Sequence, residues 1–384
     1  MQKLSQLKIT ILSIISLVMA VYLVLFAPTS IDKSQNIVIK KLSGLSGLVE
    51  KDGLIRINAG NKLIGLAQET NQSEVIKDLA FIGNSLSATA AKELKHPKLK
   101  GPGAMLNKAS TAILAEVKLL ERGQPVNQEF LKAKGAGIAG GGQKMVKKSA
   151  RLIKMVSLRM YITSYWRGLE VIGGLFLLLV IFALRREEKW ALPAMLTILA
   201  LAPIGGLYIS LAGLVFFGES AGFIPFGVSL IAFWATLYIS NDSAKDKIVY
   251  LTVLTILGIM GTQLFAFAEH GIRGILEFPY GATATDPAQS ILRFGGPVAL
   301  YSLIATLVAI YKLSAQQSAG WWYAVQASMG MMVVGFPIHF ARTKDSLMIG
   351  DLALSTYLVG AIVGLILFVV LMLPYFKDRL LTSK

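Results

Sequence analysis

The stretch Glu170–Lys189 reads EVIGGLFLLLVIFALRREEK. An apolar run without Lys or Arg that stops abruptly at two arginines is the pattern of a helix leaving hydrocarbon and meeting water. Crossing a ~30 Å hydrocarbon layer takes about 20 apolar residues. The run over Leu169–Leu184 is short, and the aromatic turn Met160–Trp166 prolongs it. Outward from this stretch, seven further runs share its character: Ile9–Ala27, Ala191–Phe217, Phe223–Ile239, Ile248–Ala268, Pro297–Leu313, Trp321–Phe340 and Leu352–Phe376. None of the eight contains Lys or Arg. The pattern predicts an all-α membrane protein with about eight transmembrane helices and one mostly helical extramembrane domain inserted between the first two.

Composition agrees. Of 384 residues, 54% are hydrophobic and only 16% charged, against about 25% charged in a soluble domain. That balance excludes a soluble enzyme and a nucleic-acid module as the whole chain. The absence of Cys excludes thiol catalysis, disulfide scaffolding, iron–sulfur ligation and Cys-based zinc sites.

The net charge of +16 is concentrated in one place. Residues 28–167 hold 23 Lys+Arg against 10 Asp+Glu, and the rest of the chain holds 15 against 12. With a cytoplasmic N-terminus, the short inner loops and termini receive Lys3, Lys8, Arg185, Arg186, Lys189, Lys245, Lys247, Lys312, Lys377, Arg379 and Lys384. The short outer loops receive Arg273, Arg293, Arg342 and Lys344. Short-loop charge sets orientation, so both termini are expected to be cytoplasmic and the basic domain extracytoplasmic, in a bacterial inner membrane. The first apolar run, about 19 residues, exceeds the 7–15 of a cleaved leader. Residues 1–27 therefore read as a signal-anchor helix, 28–167 as the basic domain and 168–384 as a seven-helix bundle.

Within the basic domain, Gly44, Gly47 and Gly53 signal turns, and the alternation Leu54-Ile55-Arg56-Ile57 predicts a weak strand. From Lys62 the period becomes helical, with Leu63, Leu66, Ile76, Leu79, Ile82 and Leu86 on three- and four-residue steps. His96-Pro97 and Gly101-Pro102-Gly103 end that segment. A second helix is expected over Ala104–Arg122, and a short one, capped by Asn127, over Gln128–Lys134. Gly135-x-Gly137-x-x-Gly140 matches the dinucleotide fingerprint by letter, yet lacks the preceding strand and the acid about 20 residues on. Gly135–Gly142 reads as a flexible hinge. After it, Lys144–Tyr165 is a basic amphipathic helix carrying Lys144, Lys147, Lys148, Arg151, Lys154 and Arg159 between Leu152, Ile153, Val156 and Met160. Such a face suits anionic lipid headgroups or an acidic partner subunit, and an extracytoplasmic location excludes nucleic acid. The topology resembles that of bacterial extracytoplasmic sensors, but no long cytoplasmic output helix follows the second span.

In the bundle, Glu170, Glu269 and Asp351 are expected at span ends, leaving no charge at mid-membrane to support proton- or sodium-coupled transport. Gln263 and Gln326 read as interhelical glue, Gly173-Gly174 and Gly360-x-x-x-Gly364 as close-packing positions, and Pro203-Ile204-Gly205-Gly206 as a kink. The loop 269–296 carries Ile272, Ile275, Leu276 and Phe278. Asp286-Pro287 then starts a second short helix with Ile291, Leu292 and Phe294, predicting an interfacial shelf. His270 and His339 end two spans on the same expected side. With Met329, Met331 and Met332 near the second, they are the candidate cofactor-binding residues for haem, copper or quinone. No hydrolase, metalloprotease or kinase motif occurs. No cofactor is otherwise called for, and no enzyme is expected.

These features favour a non-catalytic accessory or scaffold subunit of a larger membrane complex. Its partners would be other membrane-protein subunits and anionic lipid, and possible homo-oligomers. The alternatives are a transporter or channel for a neutral or lipidic substrate, and an electron-transfer subunit using His270 and His339.

Overall fold

The computed structural model describes residues 4–96, 99–217, 223–240, 243–277, 287–342 and 356–381. Every element among them is helical: α1 (Gln6–Val21), a π turn (Tyr22–Phe26), α2 (Ala27–Leu66), α3 (Gln72–Lys95), α4 (Lys100–Glu121), α5 (Gln128–Arg185), α6 (Ala191–Phe217), α7 (Phe223–Ser240), α8 (Ala244–Glu277), α9 (Pro287–Ser314), α10 (Ala319–Arg342), α11 (Thr356–Met372) and α12 (Pro374–Leu381). Contacts divide the chain into two units, Met1–Val38 with Leu158–Lys384, and Ile39–Ser157. The boundaries fall inside α2 and α5.

The unit Ile39–Ser157 is built on a two-helix seam that the sequence reading had placed in turns and a hinge. Ser46, Gly53 and Gly60 of α2 recur every seven residues, as do Gly135, Gly142 and Ser149 of α5. The two series meet antiparallel. Ser46 Oγ donates to the Ser149 carbonyl at 3.1 Å. A Cβ on Gly60 would lie 2.5 Å from the Gly135 carbonyl oxygen, and one on Gly142 would lie 2.5 Å from that of Gly53. Heptad spacing keeps one stripe of each helix facing the other, and here the stripe is small enough for the backbones to touch. Gly135–Gly142 is therefore an uninterrupted part of α5 rather than a hinge. Leu54–Ile57 is helical rather than extended, because its alternation is embedded in this seven-residue repeat.

Around the seam, α3 and α4 form a hairpin whose core is Leu63, Leu79, Leu86, Leu106, Ile113, Leu120 and Leu131. Asn71 caps α3 by accepting from Ser73 N and Glu74 N. Asn127 caps α5 by accepting from Phe130 N at 2.9 Å; the helix it opens is far longer than expected. Gly123, at φ +82°, ends α4, with Gln124 N donating to the Leu119 carbonyl. The expected break Gly101–Gly103 is the first turn of α4, where Pro102 needs no backbone N–H. Gly103 there presses against Glu93 and Leu94 of α3. A buried ion pair, Arg56 of α2 with Glu93 of α3, ties the hairpin to the seam, and Arg56 also donates to the Pro102 carbonyl at 3.3 Å. Burial holds the Glu93 carboxyl above the ordinary glutamate value, and the Arg56 hydrogen bond draws it back only in part.

Among the described residues, seven helices are long and apolar enough to cross a membrane, and the pair α11–α12, bent by 72° where Pro374 restarts the helix, would make an eighth span. The chain is a multi-pass membrane protein. In the expected outer loop, residues 269–277 continue α8, and α9 starts at Pro287, where Asp286-Pro287 signals a helix start, but as a long helix rather than a short one. The side chains of Leu276, Phe278, Asp286 and Leu292 lie outside the described residues, while Phe294 is exposed. α6 passes through Pro203 without interruption. Helix pairs are tied by Ser16 Oγ donating to the Leu177 carbonyl at 3.0 Å, and Thr262 Oγ1 to the Ile204 carbonyl at 3.2 Å. Trp321 Nε1 likewise donates to the Leu371 carbonyl at 3.0 Å.

Candidate functional site

The basic face is displayed by the seam. With Gly135, Ile138, Gly142, Met145 and Ser149 turned inward on α5, the 3.6-residue period places Lys144, Lys147, Lys148, Arg151 and Lys154 outward, and all five are exposed. The side chain of Arg159 lies outside those described. From Phe130 to Leu169 the chain has nine Lys and Arg and no acid. On α2, Lys40, Lys41 and Lys51 are exposed as well. A cationic surface is thus mounted on a backbone-packed pair of helices.

The glycines named for packing stand where neighbours come close. Gly174 of α5 faces Val24, Ala20 and Leu23, and Gly173 faces Ile198 of α6. Gly360 and Gly364 of α11 face Met331 and Ser328 of α10, with Phe267 also against Gly360. Gly205, expected only to help kink α6, gives up its side-chain space to the indole of Trp166. Trp166 in turn packs on Phe265 at 4.9 Å, and Tyr208 meets the same ring edge-on at 5.0 Å.

Beside Trp166 stands a buried carboxyl. Glu170, expected at a span end, is 2% exposed, and neither of its carboxyl oxygens has a hydrogen-bond partner. Trp166 and Arg167 are its polar neighbours on α5, and Tyr22 on the π turn is another. The Tyr22 hydroxyl and the Trp166 Nε1 are likewise buried without a partner. Arg167 closes an ion pair with Asp32 at 2.8 Å. The i, i+4 spacing of Trp166 and Glu170 was the available signal. Buried ionisable groups inside membrane bundles are expensive and mark functional positions.

The two histidines serve differently. His270 Nδ1 is 2.8 Å from the Tyr357 hydroxyl, and its Nε2 is 3.5 Å from Glu269 Oε2. Tyr357 leans on Phe267 at 4.5 Å. His270 thus joins α8 to α11 as a hydrogen-bonding post. His339 stacks near Phe340 at 5.4 Å. Among the described residues, no group of three or more His, Cys, Asp or Glu is arranged to hold a metal ion. Gln326 accepts from the Tyr301 hydroxyl at 3.2 Å, a helix-to-helix tie. In comparisons with known proteins, no family model, curated protein or solved structure matches this chain.

Proposed function

We propose that the protein is a non-catalytic accessory or scaffold subunit of a larger membrane complex, docking a partner subunit or anionic lipid through the basic face of α5. In this reading eight helices cross a bacterial inner membrane, both termini are cytoplasmic, and the basic domain inserted between the first two spans is extracytoplasmic. One observation carries it: the exposed Lys144, Lys147, Lys148, Arg151 and Lys154 stand in a 40-residue acid-free stretch of a backbone-packed helix. A photo-crosslinking residue in place of Lys147 tests it in intact cells. The expected result is one crosslinked species, a protein subunit or an anionic lipid; no crosslink would contradict docking. Since the chain lacks Cys, a single Ala88→Cys reports the side of the domain. Labelling by an impermeant reagent from outside is expected, and protection would reverse the orientation.

A second reading, a transporter or channel for a neutral or lipidic substrate, is favoured by the unpartnered Glu170, Tyr22 and Trp166 within the bundle. Glu170→Gln separates the two readings: transport would be lost with assembly intact, whereas a scaffold would assemble and perform unchanged.

A further inference from the structure

A second lipid-facing feature lies at the opposite end of α5 from its basic face. The start of α1 and the end of α5 enclose an open-sided groove of about 470 Å³. Its walls are graded along the helix axis. Gln6, Thr10 and Ser13 on α1 and Arg185 on α5 supply the polar end, and Ile14, Leu17 and Ile181 continue it as an apolar trough. Positions 6, 10, 13, 14 and 17 fall on one face by the helical period. Two of the polar groups are unspent. Ser13 is 6% exposed and its hydroxyl has no hydrogen-bond partner. Arg185 is exposed at the last residue of α5, and no ion pair to it occurs among the described residues. Thr10 already donates to the Gln6 carbonyl at 2.9 Å, which leaves its oxygen as an acceptor facing the groove.

We propose that this groove is a binding site for an anionic phospholipid, its phosphodiester held by Arg185 and Gln6 and one acyl chain lying along Ile14, Leu17 and Ile181. The order of chemistry along the groove is that of the lipid itself. A guanidinium at the water end matches a phosphate in bidentate fashion. One turn deeper, Thr10 Oγ1 offers an acceptor to the glycerol region, above the covered Ser13 hydroxyl. Exposed aliphatic side chains then meet the chain. Basic pockets between membrane helices recognise anionic headgroups in this way. A neutral zwitterionic headgroup fits less well, because its own cation would confront Arg185. The site is independent of the docking face: the scaffold reading can fail with this one standing.

Native mass spectrometry of the full chain, released from micelles doped with equal phosphatidylglycerol and phosphatidylcholine, tests the proposal. The expected result is preferential retention of phosphatidylglycerol, reduced roughly tenfold in Arg185→Gln. Ile14→Trp, which fills the trough and leaves the guanidinium in place, is expected to lose retention as well. Lys118→Gln, at an exposed lysine of α4 that belongs neither to the groove lining nor to the basic face of α5, is expected to retain it. Phosphatidylglycerol is further expected to raise the melting temperature of the wild type and not of Arg185→Gln, whereas inorganic phosphate alone raises neither. Equal retention of the two lipids, undiminished retention in both groove variants, or an equal shift with inorganic phosphate would overturn it.

Discussion

Two buried glutamates, one in each unit, show how differently the two parts of the chain are held. Glu93 lies in the helical domain against Arg56, and that contact fastens the α3–α4 hairpin to the seam. Glu170 lies in the membrane bundle with both oxygens unpartnered beside an indole and a phenol. The glycines differ in parallel. In the seam, glycine faces backbone: Gly60 meets the Gly135 carbonyl, and Gly142 that of Gly53. In the bundle the neighbours are mixed: Gly173 meets an Ile198 methyl, Gly205 the Trp166 ring and Gly360 the Met331 methyl, while Gly335 meets the Tyr357 carbonyl. The seam is thus specified by backbone-to-backbone contacts repeated along its length. The bundle mixes such contacts with neighbours able to yield, and its buried Glu170 has no cation against it as Glu93 has.

The largest expected effect breaks the first half of that comparison. Arg56→Met leaves Glu93 buried without its cation, which costs about 3–5 kcal/mol, read by thermal or denaturant unfolding of the domain. Arg56→Met combined with Glu93→Leu is expected to recover most of the loss. The pH sign follows from burial. Glu93 titrates above its unfolded value, so its contribution is full in acid and falls as pH rises through the folded-state value. Losing Arg56 lifts that value further, so the Arg56→Met deficit is expected to be smaller at pH 5 than at pH 7. A deficit independent of pH would show that the pair is not what ties the hairpin down.

Next in size are the glycines. Gly60→Ala forces a Cβ onto a backbone carbonyl in the seam, and about 2–3 kcal/mol of destabilisation is expected. Gly173→Ala presents the same methyl to a side-chain methyl 3.0 Å away, and less than about 1 kcal/mol is expected. Equal costs, measured by melting of the two variants, would erase the distinction between the units. Glu170→Gln keeps the shape of the buried side chain and replaces its acid group by an amide, and a stability within about 1 kcal/mol of the wild type is expected. A loss of stability would mean that the carboxylate has a structural partner. The smallest effect belongs to the docking face. Neutralising Lys144, Lys147, Lys148 and Lys154 together is expected to change stability by less than about 0.5 kcal/mol per site, although the partner is released.

The membrane helices were legible because a charge-free run of about 20 residues has few other fates. The all-helical class and the Asn127 cap were readable for similarly local reasons. The seam was not. Ser46, Gly53 and Gly60 stand seven apart in plain view, yet glycine in an isolated helix costs about 1 kcal/mol relative to alanine. Local propensity therefore reads each one as a turn, and the hinge reading of Gly135–Gly142 rests on the same rule. Only the second heptad series, more than 70 residues away in sequence, turns those glycines into a packing surface. The exposure of Lys144, Lys147, Lys148, Arg151 and Lys154 was more legible, since they follow the helical period on their own. The burial of Glu170 is not legible in the sequence, where hydropathy marks only the end of a span at Leu169. What buries it is Tyr22 and the other helices of the bundle, which a linear window does not see.

The docking claim is tested most directly by the native mass of the protein purified in mild detergent, wild type beside the fourfold variant of Lys144, Lys147, Lys148 and Lys154. The account predicts an assembly larger than this chain, with partner subunits in fixed ratio, for the wild type and the chain alone for the variant. A lone chain in both, or the same assembly in both, would contradict it.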